Sequence, residues 1–365
     1  MTECTWKEEK RNRAVLVGLN AYSLPAEDNA TETTLEELAA LLETAGGECV
    51  GVVLQNKDKP DARTFIGEGK VDEVRELAQA VEADLVVASD PDADRIGCVI
   101  RDTDGEYVLV NGNQICLILL NYLMTRNAEL GRLTGKEYVV KTIVTTETIK
   151  RIADKNNIKM FDCYTGFKWI ASVIRENEGV GRYLGGGEES YGFLAETFCR
   201  DKDSVSAISL MAECLAWAKE KNMSFMEMLQ DIYLKYGYSH EMGVSVVRPG
   251  KTGAEEIQAM MKEFRENPPK SLAGSPVVCV KDYLSLNETC TKCNEVKKLD
   301  FPVTSNVLQY FTEDGSKISV RPSGTEPKIK FYMEVRGEFN DRADYHKAEE
   351  AAKAKIDLIR KDLHI

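Results

Sequence analysis

Three short apolar runs, at 14–19, 49–54 and 84–87, are separated by two stretches, 34–42 and 71–81, whose large aliphatic residues recur at helical spacing. The order strand, helix, strand, helix, strand is a strong constraint, because buried strands joined by helices close most readily as a parallel sheet with right-handed crossovers. Gly46-Gly47 ends the first of these helices. The same grammar resumes further along, with strand 138–143, helix 147–155, strand 158–163, helix 167–176 and strand 181–184. A glycine-rich loop and a long helix, 204–220, follow it. Between the two units, runs 96–100 and 107–110 flank Asp102-Thr-Asp-Gly-Glu106, a hairpin signal, and 113–126 reads as a helix.

Residues 223–236 are helical in pattern, and Tyr236-Gly-Tyr-Ser-His-Glu241 reads as a linker. Beyond it come a strand, helix 253–264, strand 277–280, a polar insert, a hairpin over Glu313-Asp-Gly315, strand 329–335 and a closing helix at 343–362. The expected fold class is α/β and multidomain, with parallel and mixed sheets, flanking helices and a C-terminal α+β domain.

The formal net charge of −13 over 365 residues argues against a specific nucleic-acid partner and against an anionic membrane. The longest apolar run, Ile115–Leu120, is too short to cross a bilayer, and the charged, polar start of the chain has no signal-peptide pattern. The ten cysteines are scattered through strand and helix contexts, as small buried residues of a reducing compartment are, so a cytoplasmic location is expected. Cys290-Thr-Lys-Cys293 has the spacing of half a zinc site, but no second pair or His stands near it, and it reads as a surface loop with two free thiols.

Chemistry concentrates in a few loops. Ala88-Ser-Asp-Pro-Asp-Ala-Asp-Arg-Ile-Gly97 follows directly on the strand 85–87 and places Asp90, Asp92 and Asp94 at alternate positions. Pro91 and small Ala93 suit a turn that lets the three carboxylates converge. An oxygen-only donor set favours Mg²⁺ over zinc, and magnesium held this way points to phosphoryl chemistry. Gly185-Gly-Gly-Glu-Glu-Ser190 offers carboxylates and a hydroxyl suited to vicinal sugar hydroxyls, with glycines that free the backbone. In Ser319-Val-Arg-Pro-Ser-Gly-Thr-Glu-Pro-Lys328, the planar fork of Arg321, the hydroxyls of Ser323 and Thr325 and the small Gly324 compose a phosphate nest. Lys168, in Thr165-Gly-Phe-Lys-Trp169, has the reach to meet a phosphate or hydroxyl.

Taken together, residues of about 83–336 resemble the α-D-phosphohexomutase family, its phosphoglucomutase branch most closely. The resemblance implies a fold of four domains around a cleft and interconversion of glucose 1-phosphate and glucose 6-phosphate. It also implies Mg²⁺ as cofactor, glucose 1,6-bisphosphate as activating intermediate and a phosphorylated hexose as partner. Carried over by motif, Asp90, Asp92 and Asp94 are metal ligands, and Arg95 and Lys168 are catalytic. Glu188, Ser190, Arg200, Lys202, Arg321, Ser323, Gly324 and Thr325 are substrate contacts. The family's nucleophile lies in a Thr-Ala-Ser-His-Asn-Pro type loop upstream of the metal loop, and no such sequence occurs here. Ser239-His240, in the expected linker and followed by Glu-Met, does not replace it. Little or no mutase turnover is therefore expected.

Residues of about 13–87 instead resemble the N-terminal domain of HflX-type ribosome-associated GTPases. The matching words are Arg13-Ala-Val-Leu-Val-Gly-Leu19, Leu35-Glu-Glu-Leu38, Glu43-Thr-Ala-Gly46, Lys59-Pro-Asp61 and Thr64-Phe-Ile-Gly-Glu-Gly-Lys70. Gly67-Glu-Gly-Lys70 is not a Walker loop, and the net charge weighs against a ribosome partner. The expected organisation is a chimera: 1–87 from the GTPase-like parent, then 88–135, 136–236 and 241–365 as remnants of phosphohexomutase domains II, III and IV. Two alternatives stand beside it, a non-catalytic phosphosugar-binding protein and a ribosome-associated module acting through the N-terminal segment.

Overall fold

The computed structural model describes residues 12–21, 30–44, 47–57, 68–90, 92–324 and 326–365. The chain divides into two compact units, Met1–Thr145 with Ile149–Leu229, and Thr146–Thr148 with Gln230–Ile365. In the first, β1 (Asn12–Ala21), α1 (Ala30–Thr44), β2 (Gly47–Lys57), α2 (Glu68–Ala80) and β3 (Leu85–Ser89) keep the order read from the sequence. The hairpin β4 (Ile96–Arg101) and β5 (Tyr107–Val110) joins them in one sheet of order β2-β1-β3-β4-β5. Its β2, β1 and β3 are parallel, and β4 and β5 are antiparallel additions.

The expected boundary at 87/88 thus falls inside β3, and the stretches on either side of it share a sheet and a core. Val15, Val17, Val53, Ala78 and Val86 bury together, with Val99 packed against them. The Tyr107 hydroxyl stands within hydrogen-bond distance of the Ala78 and Ala83 carbonyls, at 2.9 and 2.8 Å. Tyr107 therefore ties β5 to the end of α2 and the start of β3.

A second sheet of this unit is built from β6 (Glu137–Thr142), β7 (Lys159–Cys163), β8 (Arg182–Gly187) and β9 (Phe193–Leu194), in the order β7-β6-β8-β9. Helices α3 (Gly112–Glu129), α4 (Thr148–Lys155), α5 (Phe167–Glu176) and α6 (Ser204–Glu220) belong to this part of the chain. A capping box starts α3: Asn111 accepts from the Gln114 N–H, and Gln114 accepts from the Asn111 N–H. Every residue from Ile115 to Leu120 is buried, so α3 is an interior helix rather than an amphipathic one. Ala14, Leu42 and Ala212 form one buried cluster, through which α6 packs on the N-terminal sheet.

The glycine run at 185–187 continues β8 instead of opening a loop. Gly185, Gly186 and Gly187 pair in parallel with Val139, Val140 and Lys141 of β6. A Cβ at Gly187 would stand 2.5 Å from the Cys116 sulfur and 2.9 Å from the Gly192 carbonyl oxygen, so close packing and not backbone freedom explains this glycine.

Helix α7 (Phe225–Tyr236) leads to the C-terminal strands. The second unit contains β10 (Ser239–Val247), α8 (Gly250–Glu266), β11 (Ser271–Leu272), β12 (Ser275–Asp282), β13 (Asn287–Cys290) and β14 (Val296–Lys298). Then come β15 (Leu308–Thr312), β16 (Lys317–Pro322), β17 (Lys328–Arg336) and α9 (Tyr345–Asp362). An antiparallel sheet runs β10-β17-β16-β15-β12-β13-β14, with β11 beside β12. Two expectations are corrected here. Ser239-His240-Glu241 is not linker but the start of β10, paired with Val335 and its neighbours on β17, and Ser239 is buried. The polar insert is the hairpin β13–β14, whose side chains are exposed or half-buried because it closes the sheet edge and has no core to face.

Candidate functional site

The loop expected to hold a metal leaves β3 at Asp90. Its carboxylate oxygen accepts the N–H groups of Asp94 and Arg95 at 3.0 and 2.9 Å, folding the loop back on itself. Ala93 turns the chain with a left-handed φ of 52°, which costs an alanine about 1 kcal/mol. Pro91 lies outside the described residues. So wound, Asp90, Asp92 and Asp94 each present a carboxylate oxygen within 4.8 Å of the others. At ordinary magnesium bond lengths adjacent ligands stand about 3 Å apart and opposed ones about 4 Å, so these carboxylates would close further on the ion to hold it. Asp94 Oδ1 is buried without a hydrogen-bond partner, an atom that a cation would satisfy. Burial pushes the Asp90 carboxyl up, with the Asp94 and Asp92 charges adding to it, against the two N–H bonds.

Two further segments of the same unit pin this loop. The Ser204 N–H donates to the Ala93 carbonyl at 3.0 Å, and the Ile96 N–H to the Tyr191 carbonyl at 3.1 Å. Asp203 caps α6 by accepting from Val205 and Ser206, which fixes Lys202 just before the helix. Lys202 forms an ion pair with Asp94. Burial works against its charge, yet the Asp94 carboxylate holds the ammonium above its ordinary value. Arg95 is half exposed, with Nε 3.6 Å from Asp94 Oδ1. Arg200 is placed elsewhere, in an exposed ion pair with Glu178.

Glu188 is buried at the turn after β8. Its Oε1 accepts the Gly166 N–H at 2.7 Å, and its Oε2 the Ser190 hydroxyl at 3.4 Å. Gly166 precedes α5, so this bond brings the segment carrying Lys168 beside the sugar loop; Lys168 is exposed, its ammonium 5.4 Å from the centroid of the Trp169 ring. The start of α3 also presses on the loop. A Cβ at Gly112 would stand 2.2 Å from the Glu189 carbonyl oxygen.

Sequence reasoning passed over Lys141, and it counted Glu189 among the carboxylates of its loop without naming it as a site residue. Lys141 is fully buried on β6, its ammonium 2.7 Å from Asp162 Oδ1. Glu189 accepts the Thr142 and Thr145 hydroxyls at 3.3 and 3.4 Å. A charged residue inside the apolar run 138–143 was the available signal for Lys141.

In the second unit, Arg321 is half-buried near the end of β16, opposite Lys330 of β17. Ser323 N–H donates to the Lys328 carbonyl at 2.8 Å, closing the turn, and the Glu326 N–H donates to Ser323 Oγ at 3.3 Å. Thr325 lies outside the described residues. Gly324 is exposed and does not take the left-handed conformation, and a Cβ there would meet nothing within 4 Å. Open space, not an inverted backbone, is what this glycine leaves.

Two family models match the larger part of the chain. Residues 111–236 match phosphoglucomutase/phosphomannomutase alpha/beta/alpha domain III, and residues 244–353 match the phosphoglucomutase/phosphomannomutase C-terminal domain. The chain belongs to the phosphohexomutase family. Residues 32–91 match a third model, GTP-binding GTPase N-terminal, which runs past Val87 into the first residues of the metal loop. Among curated relatives, phosphoglucomutase of Staphylococcus aureus strain MRSA252 is 35% identical over 291 residues, 80% of this chain and 50% of that protein. The strain N315 protein is 36% identical over 298 residues, with the same coverage. The chain thus spans about half the length of the curated relatives it matches. Solved structures similar in fold include a putative phosphomannomutase from Thermus thermophilus, with a TM-score of 0.55 and 16% identity, covering 97% of this chain and 61% of that one. The phosphoglucomutase parafusin from Paramecium has a TM-score of 0.51 and 18% identity, covering 93% and 50%. Fold similarity therefore takes in nearly all of the chain.

Proposed function

We propose that this phosphohexomutase-family chain binds a phosphorylated hexose of the glucose 1-phosphate and glucose 6-phosphate type together with Mg²⁺. The observation that carries the reading is the Asp90, Asp92 and Asp94 cluster, three carboxylate oxygens within 4.8 Å with a buried Asp94 Oδ1 that has no hydrogen-bond partner. These residues would hold the magnesium, which supplies charge neutralisation to a nearby phosphoryl group when bound. Lys202 balances the cluster's negative charge and orients Asp94. Glu188, held by Gly166 and Ser190, would accept from sugar hydroxyls in this reading. In the second unit, taken by itself, Arg321 and Ser323 offer donors to a phosphate.

The family's reaction passes a phosphoryl group through a serine, with glucose 1,6-bisphosphate as intermediate. The 365 residues contain no loop of the Thr-Ala-Ser-His-Asn-Pro type, and those before Asp90 match a GTPase N-terminal model. We infer binding without multiple turnover by this polypeptide, and a cytoplasmic site of action. Among the described residues, no helix is long and apolar enough to cross a membrane.

Calorimetry with glucose 1-phosphate, glucose 6-phosphate and glucose 1,6-bisphosphate, each with and without Mg²⁺, tests the reading beside a coupled mutase assay. Saturable binding that Asp92→Asn weakens in Mg²⁺ and Arg321→Ala weakens throughout is expected, with no turnover above background. Absence of binding to all three sugars overturns the ligand assignment. Turnover approaching that of a complete family member overturns the inference of inactivity.

A further inference from the structure

The β13–β14 hairpin carries two thiols that sugar-phosphate binding does not use. Cys290 ends β13 and is half-buried; Cys293 is exposed in the turn that follows; both are free. The turn closes on itself: the Asn294 N–H donates to the Cys290 carbonyl at 2.8 Å, and the Cys290 N–H to the Glu295 carbonyl at 2.9 Å. Asn294 takes a left-handed φ of 56°. Thr291 ties the turn to the sheet, its hydroxyl donating to the Val277 carbonyl at 2.6 Å and its N–H to the Val278 carbonyl at 3.0 Å. Held in this way, Cys290 and Cys293 stand at the start and the fourth position of one hydrogen-bonded turn. Two cysteines three residues apart in one closed turn are placed where a disulfide closes with little backbone movement.

A third thiol supplies the comparison. Cys279 on β12 is the register partner of Cys290, and burial pushes its thiol up to about 11. Cys290 moves the other way, because the Cys293 thiol and the N–H groups of Cys293 and Lys292 favour its thiolate. The nearby charges are already committed: Lys292 pairs with Glu313, Lys281 with Glu288, and Glu295 with Lys297.

We propose that Cys290 and Cys293 form a redox-active dithiol, a site for reversible exchange with small-molecule disulfides such as glutathione disulfide. The Cys290 thiolate attacks one sulfur of the incoming disulfide, forms a mixed disulfide and releases the first small thiolate. Cys293, its proton passed to solvent, then attacks the Cys290 sulfur, forms the Cys290–Cys293 bond and expels the second. The two protein thiols lose two electrons and two protons, and the small disulfide gains both as two thiols. Strands β12 and β15 lie between β13 and β16, so closure staples the sheet edge without touching the Arg321 turn.

The test equilibrates the full chain across ratios of reduced to oxidised glutathione, quenches with acid, alkylates the remaining thiols and maps peptides by mass spectrometry. A Cys290–Cys293 disulfide, lower in mass by two hydrogens, is expected in the wild type and in Cys279→Ser. It is lost in Cys290→Ser and in Cys293→Ser, and the latter accumulates glutathione on Cys290. In the reduced protein at neutral pH, Cys290 alkylates on the order of tenfold faster than Cys279. Full alkylation of both turn cysteines at every ratio overturns the proposal, as does a disulfide between Cys279 and Cys290.

Discussion

Asp314, in the turn between β15 and β16, accepts from the Thr312 hydroxyl at 2.7 Å and from the Ser316 N–H and hydroxyl at 3.0 and 2.8 Å. It also pairs with Lys355 of α9 at 2.7 Å. Burial opposes its charge, but these bonds prevail and hold the carboxyl well below the usual aspartate range. A depressed folded-state pKa means that acid favours the unfolded chain. The contribution is full above the unfolded value near 4 and is lost as pH falls through the folded one. Asp314→Asn should therefore lower the denaturant midpoint at pH 7, with a gap to wild type that narrows below about pH 4. Denaturation curves at several pH values check this, and a gap that persists at the acid end contradicts it. Gly112 makes a second case at this scale. With the Glu189 backbone 2.2 Å from any added Cβ, Gly112→Ala should cost about 1–3 kcal/mol and shift the sugar loop. Stability measurements and sugar-phosphate titrations read the two effects separately.

Elements with a buried face were legible in the sequence because burial imposes periodicity. The spacing of Leu35, Leu38 and Leu42 marks α1, and all three are buried. The hairpin β4–β5 announced itself through Asp102-Thr-Asp-Gly-Glu106, where Gly105 adopts a φ of 94°. Elements with no such face were not legible. Val296–Lys298 is exposed throughout, and its strand character comes only from its partner β13. Likewise the polar start of β10 becomes strand by pairing with β17 and burying Ser239 against the Thr148 hydroxyl at 2.7 Å. Of the candidate site, the clustering of 90–94 was legible from alternating carboxylates after a strand, with Pro91 and Ala93 to turn the chain, whereas the pairing of Lys202 with Asp94 depends on where α6 begins. Long-range charge pairing was equally hidden in Lys317 of β16. It is buried, its ammonium 2.7 Å from Glu147 and 3.6 Å from its cross-strand neighbour Glu334. Lys317→Ala takes the paired cation from the buried Glu334, which keeps its bonds from the Thr146 hydroxyl and the Glu147 N–H, and should destabilise the C-terminal unit by about 3 kcal/mol. Chemical denaturation followed by far-UV circular dichroism measures it, and a loss below about 1 kcal/mol would count against the pair's importance.

At the scale of the molecule, the question is whether a segment of GTPase-like sequence is an appendage or part of the unit that carries the metal loop. Its strands β1 and β2 continue the sheet of β3, β4 and β5, and the Ala14, Leu42 and Ala212 cluster joins it to α6. Asp84 and Lys219 add an ion pair between the same regions. A joint core predicts joint unfolding, and tryptophan reports it selectively. The chain has three tryptophans, at positions 6, 169 and 217, and none lies in 230–365. In a Trp6→Phe background, the fluorescence therefore comes from Trp169 and Trp217, both in the first unit and both outside the GTPase-like segment. Leu42→Ala removes a buried leucine from the shared cluster, a loss of about 2–5 kcal/mol. The tryptophan-detected midpoint should fall by the corresponding amount. A midpoint that stays put while the N-terminal helix melts early would mean that the segment folds independently. The metal loop would then hang from a strand shared by two bodies, and Leu42→Ala would weaken Mg²⁺ binding without lowering the midpoint that Trp169 and Trp217 report.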